Sequence, residues 1–284
     1  MIHTFRFAAM GSPCEVQVDT RDAALANRLS AIARDEAMRI EVKFSRYRPD
    51  SVVGRINQGA GTPFQPDGET AMLLDYAAQC HGLSSGLFDI TSGILRKAWT
   101  FDGSDRVPDA AQVSALLPSV GWDKVMWGDG VLTLRHGLEI DLGGLGKEYA
   151  VDRALGLIMQ ASDVPVMVNF GGDLRVSGLR ANGSRWRVLI EALEDDGGGA
   201  WLEVASGAIT TSGDARRYVE RDGRRYSHIL DPRTGMSITQ APRAVTVAAG
   251  TCIEAGVLST LAMLHGKNAE KFLKTEGVTA WVAR

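Results

Sequence analysis

Residues 131–173 read VLTLRHGLEIDLGGLGKEYAVDRALGLIMQASDVPVMVNFGGD, and three kinds of hydrophobic spacing follow one another along them. VLTLRHGLEIDL (131–142) predicts strand, YAVDRALGLIMQ (149–160) has helical spacing, and VPVMVNF (164–170) reads as a buried strand ending in GGD. At the first joint, DLGGLGKEYAVD (141–152) sets three glycines and Lys147 between an apolar run and a helix start. A glycine-rich turn of this kind brings backbone N–H groups and a helix N-terminus up to a phosphate. Its spacing matches neither G-x-x-x-x-G-K-S/T nor G-x-G-x-x-G, so by itself it is equally a turn that needs glycine for its backbone angles.

Working outward, KVMW (124–127) precedes a turn at Gly128 to Gly130. Upstream, residues 5–18 read as a strand and 22–44 as a long amphipathic helix with Leu25, Leu29, Ile32, Ile40 and Phe44 near one face; Pro49 closes it. After the polar loop QGAGTPFQPDG, a second helix is expected over 69–81, stopping at Gly82. The polar stretch 100–121, punctuated by Pro108 and Pro118, suits an excursion over the surface. Downstream, RWRVLIEAL and WLEVAS flank the acidic, glycine-rich hairpin loop EDDGGGA, AVTVAAG is another buried strand, and a helix follows over 252–265. Strands in hairpin-like clusters with helices grouped between them predict an α+β fold of mixed or antiparallel sheets with flanking helices, rather than a doubly wound sheet. No internal repeat or linker interrupts the chain, so a single domain over 1–284 is expected.

Composition narrows the function classes. Thirty-one Lys and Arg against 34 Asp and Glu give a net charge of -3 with no long block of either sign, which argues against nucleic acid. No apolar run approaches the roughly 20 residues of a membrane helix. MIHTFRFAAMGSPCEVQV lacks the basic and long apolar regions of a secretory signal, so the chain as written is expected in the cytoplasm, or in the periplasm if a signal was removed. Cys14, Cys80 and Cys252 are too few and too scattered for a disulfide framework or a zinc site.

Polar clusters fall at strand ends and helix starts: FSRY (44–47), GLFDITSG (86–93), DLGGLGK (141–147), NFGGD (169–173), TTSGDARRY (210–218) and SHILDPRTG (227–235). Each is individually explicable as a turn; their number points to a site. His228 is a candidate proton carrier near pH 7, or equally a strand-pairing histidine beside the apolar Ile229 and Leu230. Arg233 suits a phosphate clamp or solvent, and Thr210, Thr211 and Ser212 supply hydroxyls or caps. No G-x-S-x-G and no paired-cysteine or His-x-x-x-His pattern is present, so a metal, if used, would be Mg²⁺ on oxygen ligands.

Taken in order, FSRYRPDS, GLFDIT, DLGGLGKEYAVD, VNFGGD, TTSGDARRY, SHILDPRTG and EAGVLST resemble the successive motifs of the ApbE-type FAD:protein FMN transferases, over nearly the whole chain from MGSPCEVQV to the last helix. The resemblance implies an α+β protein that binds FAD with Mg²⁺ at the pyrophosphate, joins FMN through its phosphate to a threonine hydroxyl of an acceptor protein and releases AMP. Alternatives on the same scaffold are hydrolysis of FAD to FMN and AMP, and FAD binding without transfer. By the same resemblance Met10, Tyr47, Leu87, Phe88, Asp89, Asp141, Lys147 and Ile229 (or its neighbour Leu230) contact FAD. The Gly144 carbonyl and the Ser259 and Thr260 hydroxyls face Mg²⁺, and His228, in a H-x-x-D-P-x-T-G match, activates the attacking hydroxyl.

Two positions depart from the pattern. Where the last motif usually has aspartate, this chain has Gly256, so the carboxylate expected to hold Mg²⁺ is missing. Glu254, two residues earlier, belongs to a different helix face. After the lysine of the glycine loop, where a small residue is usual, stands Glu148, which either crowds the phosphates or supplies the missing charge.

Overall fold

The structure is a computed structural model that describes residues 1–190, 199–214 and 217–284. The first third contains β1 (Ile2–Ala9), β2 (Ser12–Asp19), α1 (Ala23–Phe44), α2 (Val52–Gln58), α3 (Gly68–Leu83) and α4 (Ala110–Leu116). The middle runs through β3 (Met126–Gly128), β4 (Val131–Thr133), α5 (Gly146–Ala161), β5 (Val166–Phe170), β6 (Asp173–Val176), β7 (Trp186–Ile190) and β8 (Ala200–Val204). The last part holds β9 (Gly207–Gly213), β10 (Tyr218–Arg221), β11 (Arg224–Ser227), β12 (Ala244–Ala249), α6 (Cys252–Leu264), α7 (Ala269–Glu276) and β13 (Thr279–Ala283).

Among the described residues, one antiparallel sheet of seven strands runs β1-β2-β5-β6-β9-β12-β13, and β3-β4, β7-β8 and β10-β11 pair as separate hairpins. Helices α1, α5 and α6 lie side by side on one face, over β1 and β2, β5 and β6, and β9 and β12 respectively. The sequence periods explain the packing. Helix α1 buries Ala26, Leu29, Ala33, Ala37, Ile40 and Phe44 at spacings of three and four, while Val166, Val168 and Phe170 point up to the helices at every second position. The intervening Met167 points to the other face, where it joins Ile209 and the hairpin residues Trp186 and Val204. The result is the expected α+β arrangement.

Four local expectations are corrected. Residues 5–18 are not one strand but parts of the β1–β2 hairpin, turned at Met10 (φ 54°) and Gly11 (φ 66°); a methionine in left-handed backbone is no turn signal in sequence. VLTLRHGLEIDL keeps only Val131–Thr133 as strand. Its second half finds backbone partners elsewhere: Asn57 Nδ2 donates to the Ile140 carbonyl (2.9 Å), Asn57 Oδ1 accepts the Ile140 N–H (2.8 Å), and the Asp141 N–H donates to the Ile90 carbonyl (2.8 Å). The surface excursion at 100–121 contains α4, started by a capping box between Asp109 and Gln112. Helix α3 runs through Gly82 to Leu83. Residues 194–198 of the EDDGGGA loop, and 215 and 216 of TTSGDARRY, lie outside the described residues.

Candidate functional site

The glycine loop is held from three sides. Asp141 Oδ1 accepts the Gly143 N–H at 2.9 Å, an Asx turn that aims the loop, and its other oxygen pairs with Arg46. Arg46 in turn donates to the Tyr47 hydroxyl at 2.7 Å and lies over the Tyr47 ring, which is 77% exposed. The close approach requires glycine opposite: a Cβ at Gly93 would sit 2.5 Å from Asp141 Cβ. Beneath the loop the buried Phe88 ring meets Gly144, where a Cβ would lie 3.7 Å from Phe88 Cζ. Asp141, Phe88 and Gly144 are therefore brought together, with Tyr47 at the rim.

The next turn of chain carries the charges. Lys147, in the first turn of α5, is ion-paired with the buried Asp173 at the start of β6. Gly171 (φ 66°) lets this happen: a Cβ there would sit 2.8 Å from Ser12 Cβ and 3.5 Å from Lys147 Cδ, so the β1–β2 turn beside Met10 and the NFGGD turn close around the lysine stem. Glu148 is the second carboxylate beside the same lysine, and its buried Oε2 has no hydrogen-bond partner. Burial, reinforced by the charge of Asp173, pushes the Glu148 carboxyl up to about 8. Burial raises Asp173 as well, against the pull of Lys147. Lys147 loses hydration, yet Asp173 and Glu148 outweigh that loss and hold its pKa above the ordinary value.

Helix α6 supplies hydroxyls. Ser259, fully buried, donates to the Gly256 carbonyl at 3.0 Å and lies 2.8 Å from Ser212 Oγ of β9; Ser212 Oγ is also 3.1 Å from Thr260 Oγ1. Ser259 is thus committed on two sides, while Thr260 is half-buried and meets Ser212 on one. Sequence reading missed what starts this helix: Asp152 of α5 accepts the Cys252 and Ile253 N–H groups, both at 3.0 Å, and receives Arg175 at 2.9 Å. The aspartate closing DLGGLGKEYAVD is therefore a cap delivered across two helices.

His228 follows β11. Its Nδ1 lies 3.1 Å from the Arg217 carbonyl, which can only accept, so Nδ1 carries the proton and Nε2 keeps its lone pair. Burial lowers its pKa below the ordinary 6.5 despite that hydrogen bond, and the Lys147 charge adds to the lowering. Ile229 is half-buried between the main core and the α6–α7 cluster. Arg233 does not reach away from its own turn: its Nε and Nη2 donate to Asp231 at 2.9 and 2.7 Å.

Asp89 stands apart from the other sequence candidates. Its Oδ1 accepts the Thr91 N–H (2.8 Å) and hydroxyl (2.6 Å) and its Oδ2 accepts the Trp122 N–H (2.9 Å), so the carboxylate fastens the 89–91 turn to the 121–122 loop. Leu87, next to Phe88, is buried. An open cleft of about 560 Å³ lies at this end, lined by His81, Asp89, Asp123, Lys124 and Arg233 among others. None of Lys147, Glu148, Thr260 or His228 lines it, so the chemistry-bearing groups lie elsewhere. Cys14, Cys80 and Cys252 are free and buried, as inert thiols are.

Among the described residues no three His, Cys, Asp or Glu side chains converge as a metal cluster. A divalent cation would therefore rely on hydroxyl and carbonyl oxygens with one carboxylate. That set, with the orphaned Glu148 Oε2 in it, fits hard, oxygen-seeking Mg²⁺ and does not fit zinc.

The ApbE family model matches residues 10–282. An FAD:protein FMN transferase of Vibrio cholerae is 33% identical over 232 residues, 79% of this chain and 70% of that protein. That of Salmonella typhimurium is 31% identical over 96% of this chain and 81% of its own. The crystal structure of an ApbE protein from Thermotoga maritima superposes with a TM-score of 0.91 at 30% identity, covering 99% of this chain and 94% of that one. The apo form of the Pseudomonas stutzeri flavinyl transferase ApbE gives 0.88 at 30% identity, covering 100% and 92%. With family model, relatives and fold in agreement over most of its length, this chain belongs to the ApbE family.

Proposed function

We propose that this protein is an FAD:protein FMN transferase that uses Mg²⁺ and a threonine hydroxyl of an acceptor protein, built as one ApbE-like domain over 1–284. The observation that carries the reading is a run of contacts between motifs far apart in sequence: Lys147 pairs with Asp173, Asp173 Oδ1 accepts the Thr211 N–H at 3.4 Å, the neighbouring Ser212 meets Ser259 and Thr260, and Glu148 beside Lys147 lies against Gly256 of the same helix. Family membership supports the activity, since relatives that match most of this chain are named FAD:protein FMN transferases.

In this reading the glycine-loop N–H groups at the start of α5 and the Lys147 ammonium bind the pyrophosphate of FAD. Asp141, Phe88 and Leu87 shape the loop from below, Met10 and Tyr47 border the flavin or adenine, and Ile229 lines the same pocket. Asp89 serves the site as a fastener of its floor. Gly144 and Thr260, with Ser259 positioning the helix turn, hold the cation. Bound there, Mg²⁺ supplies positive charge to phosphoryl oxygens on which charge develops.

His228 Nε2 takes the proton of the acceptor hydroxyl as its oxygen bonds to the phosphorus of the FMN half. The bond from that phosphorus to the bridging oxygen breaks, and AMP leaves with that oxygen. A depressed pKa suits this role, because the imidazole is already neutral at pH 7.

The test is product analysis with FAD and Mg²⁺, with and without a threonine-bearing acceptor domain. Transfer predicts AMP release that requires acceptor and no free FMN. Free FMN without acceptor marks a hydrolase, and bound but intact FAD marks a binding protein; either result contradicts the proposal.

A further inference from the structure

The two places where the sequence departs from its family pattern touch each other. A Cβ built on Gly256 would lie 2.6 Å from Glu148 Cγ and 3.2 Å from both Glu148 Cδ and Oε1. The Glu148 side chain thus fills the volume that any side chain at 256 would take, and only glycine there admits it. Gly256, Ser259 and Thr260 stand at i, i+3 and i+4 of α6, on one helix face, with Ser259 bonded back to the Gly256 carbonyl at 3.0 Å. The carboxylate of α5 is therefore laid onto the same turn of α6 that carries the hydroxyls.

Glu148 does not sit there as half of an ordinary ion pair. Lys147 is committed to Asp173, leaving two carboxylates beside one ammonium, and Glu148 Oε2 is buried without a partner. A buried carboxylate oxygen with no donor is destabilising unless the group takes up a proton or a cation satisfies it, and a cation there restores the carboxylate by displacing that proton. We propose that Glu148 is the metal-holding carboxylate of this protein, delivered from α5 into the place left by Gly256 on α6. This rests on the Mg²⁺-dependent reading above and deepens it: the missing charge has been moved to the facing helix.

The exchange makes a reciprocal test possible. Mn²⁺ binding is followed by electron paramagnetic resonance on protein saturated with FAD, and FAD affinity is measured separately in EDTA. Glu148→Gln, nearly isosteric, is expected to weaken Mn²⁺ by at least about tenfold while FAD affinity in EDTA does not fall, because the change only removes an acidic group beside Lys147. Gly256→Asp alone is expected to lower the melting temperature, because its Cβ overlaps Glu148. Glu148→Gly combined with Gly256→Asp is expected to return both melting and Mn²⁺ binding to the wild-type range. Equal Mn²⁺ affinity in wild type and Glu148→Gln overturns the assignment and leaves the transferase reading standing. Wild-type protein that binds FAD but no Mn²⁺ overturns both the assignment and the metal dependence, and protein that binds no FAD overturns the functional reading itself.

Discussion

Asn57 holds both backbone groups of Ile140, one residue before the aspartate that shapes the glycine loop: the pair is bonded at 2.9 and 2.8 Å. One side chain thereby replaces a neighbouring strand and ties α2 to the entry of the site. Asn57→Ala strands a buried N–H and carbonyl and is expected to cost about 2 kcal/mol. The melting temperature should fall and FAD affinity should weaken with it. Unchanged FAD binding would show that the loop does not depend on this anchor.

Met10 adopts left-handed backbone (φ 54°) at the tip of the β1–β2 hairpin, a conformation that strains a residue with a Cβ by about 1 kcal/mol. Met10→Asn creates the Asn-Gly pair that this turn prefers and should raise the melting temperature. If methionine is kept for FAD, the same variant binds FAD more weakly. A gain in stability with no loss of affinity would remove Met10 from the site.

His228 is held below the ordinary histidine pKa by burial. Its neutral form is the base, so transfer should rise with pH through a value under 6.5 and then level off. The folding linkage has the same sign: the depressed pKa contributes stability present at neutral pH and lost as pH falls through the folded value. His228→Ala should reduce transfer by about 10²–10⁴-fold with FAD still bound. An acid limb unchanged in the variant would assign that titration to another group.

Glu69 joins three helices, accepting from Arg39 and Lys43 of α1 and from the Tyr149 hydroxyl of α5. The Arg39 hydrogen bonds above all hold its carboxyl down at about 2, from an ordinary 4.5. Stability from this network is complete above 4.5 and lost as pH falls towards 2. Glu69→Gln should cost about 2 kcal/mol at pH 7, less than the full shift implies because Arg39 is partly solvent-screened. The difference between wild type and variant should shrink in acid melts; a constant difference would contradict the linkage.

Where one period governs a segment, sequence reading succeeded. The three-and-four spacing of α1, the apolar α6 and the buried strands β5 and β12 all follow from side chains meeting the main core or the adjoining α6–α7 cluster. It failed where partners come from far along the chain. GLEIDL looks like strand until Asn57 claims its backbone, and the β1–β2 turn has no glycine or asparagine at its first left-handed position. In the site, the motifs marked the right loops but not their wiring. Arg233 is spent on Asp231, Asp89 fastens its own turn, and Asp152 caps α6. The glutamate at 148 and the glycine at 256 become one feature only when α5 packs on α6.

The most direct measurement is the intact mass of a threonine-containing acceptor domain after incubation with this protein and FAD, with Mg²⁺ or with chelator. A gain of one FMN less water is expected with Mg²⁺, absent with chelator, and lost when the acceptor threonine is replaced by alanine. An acceptor that stays unmodified while FAD is bound, across more than one acceptor domain, would contradict it.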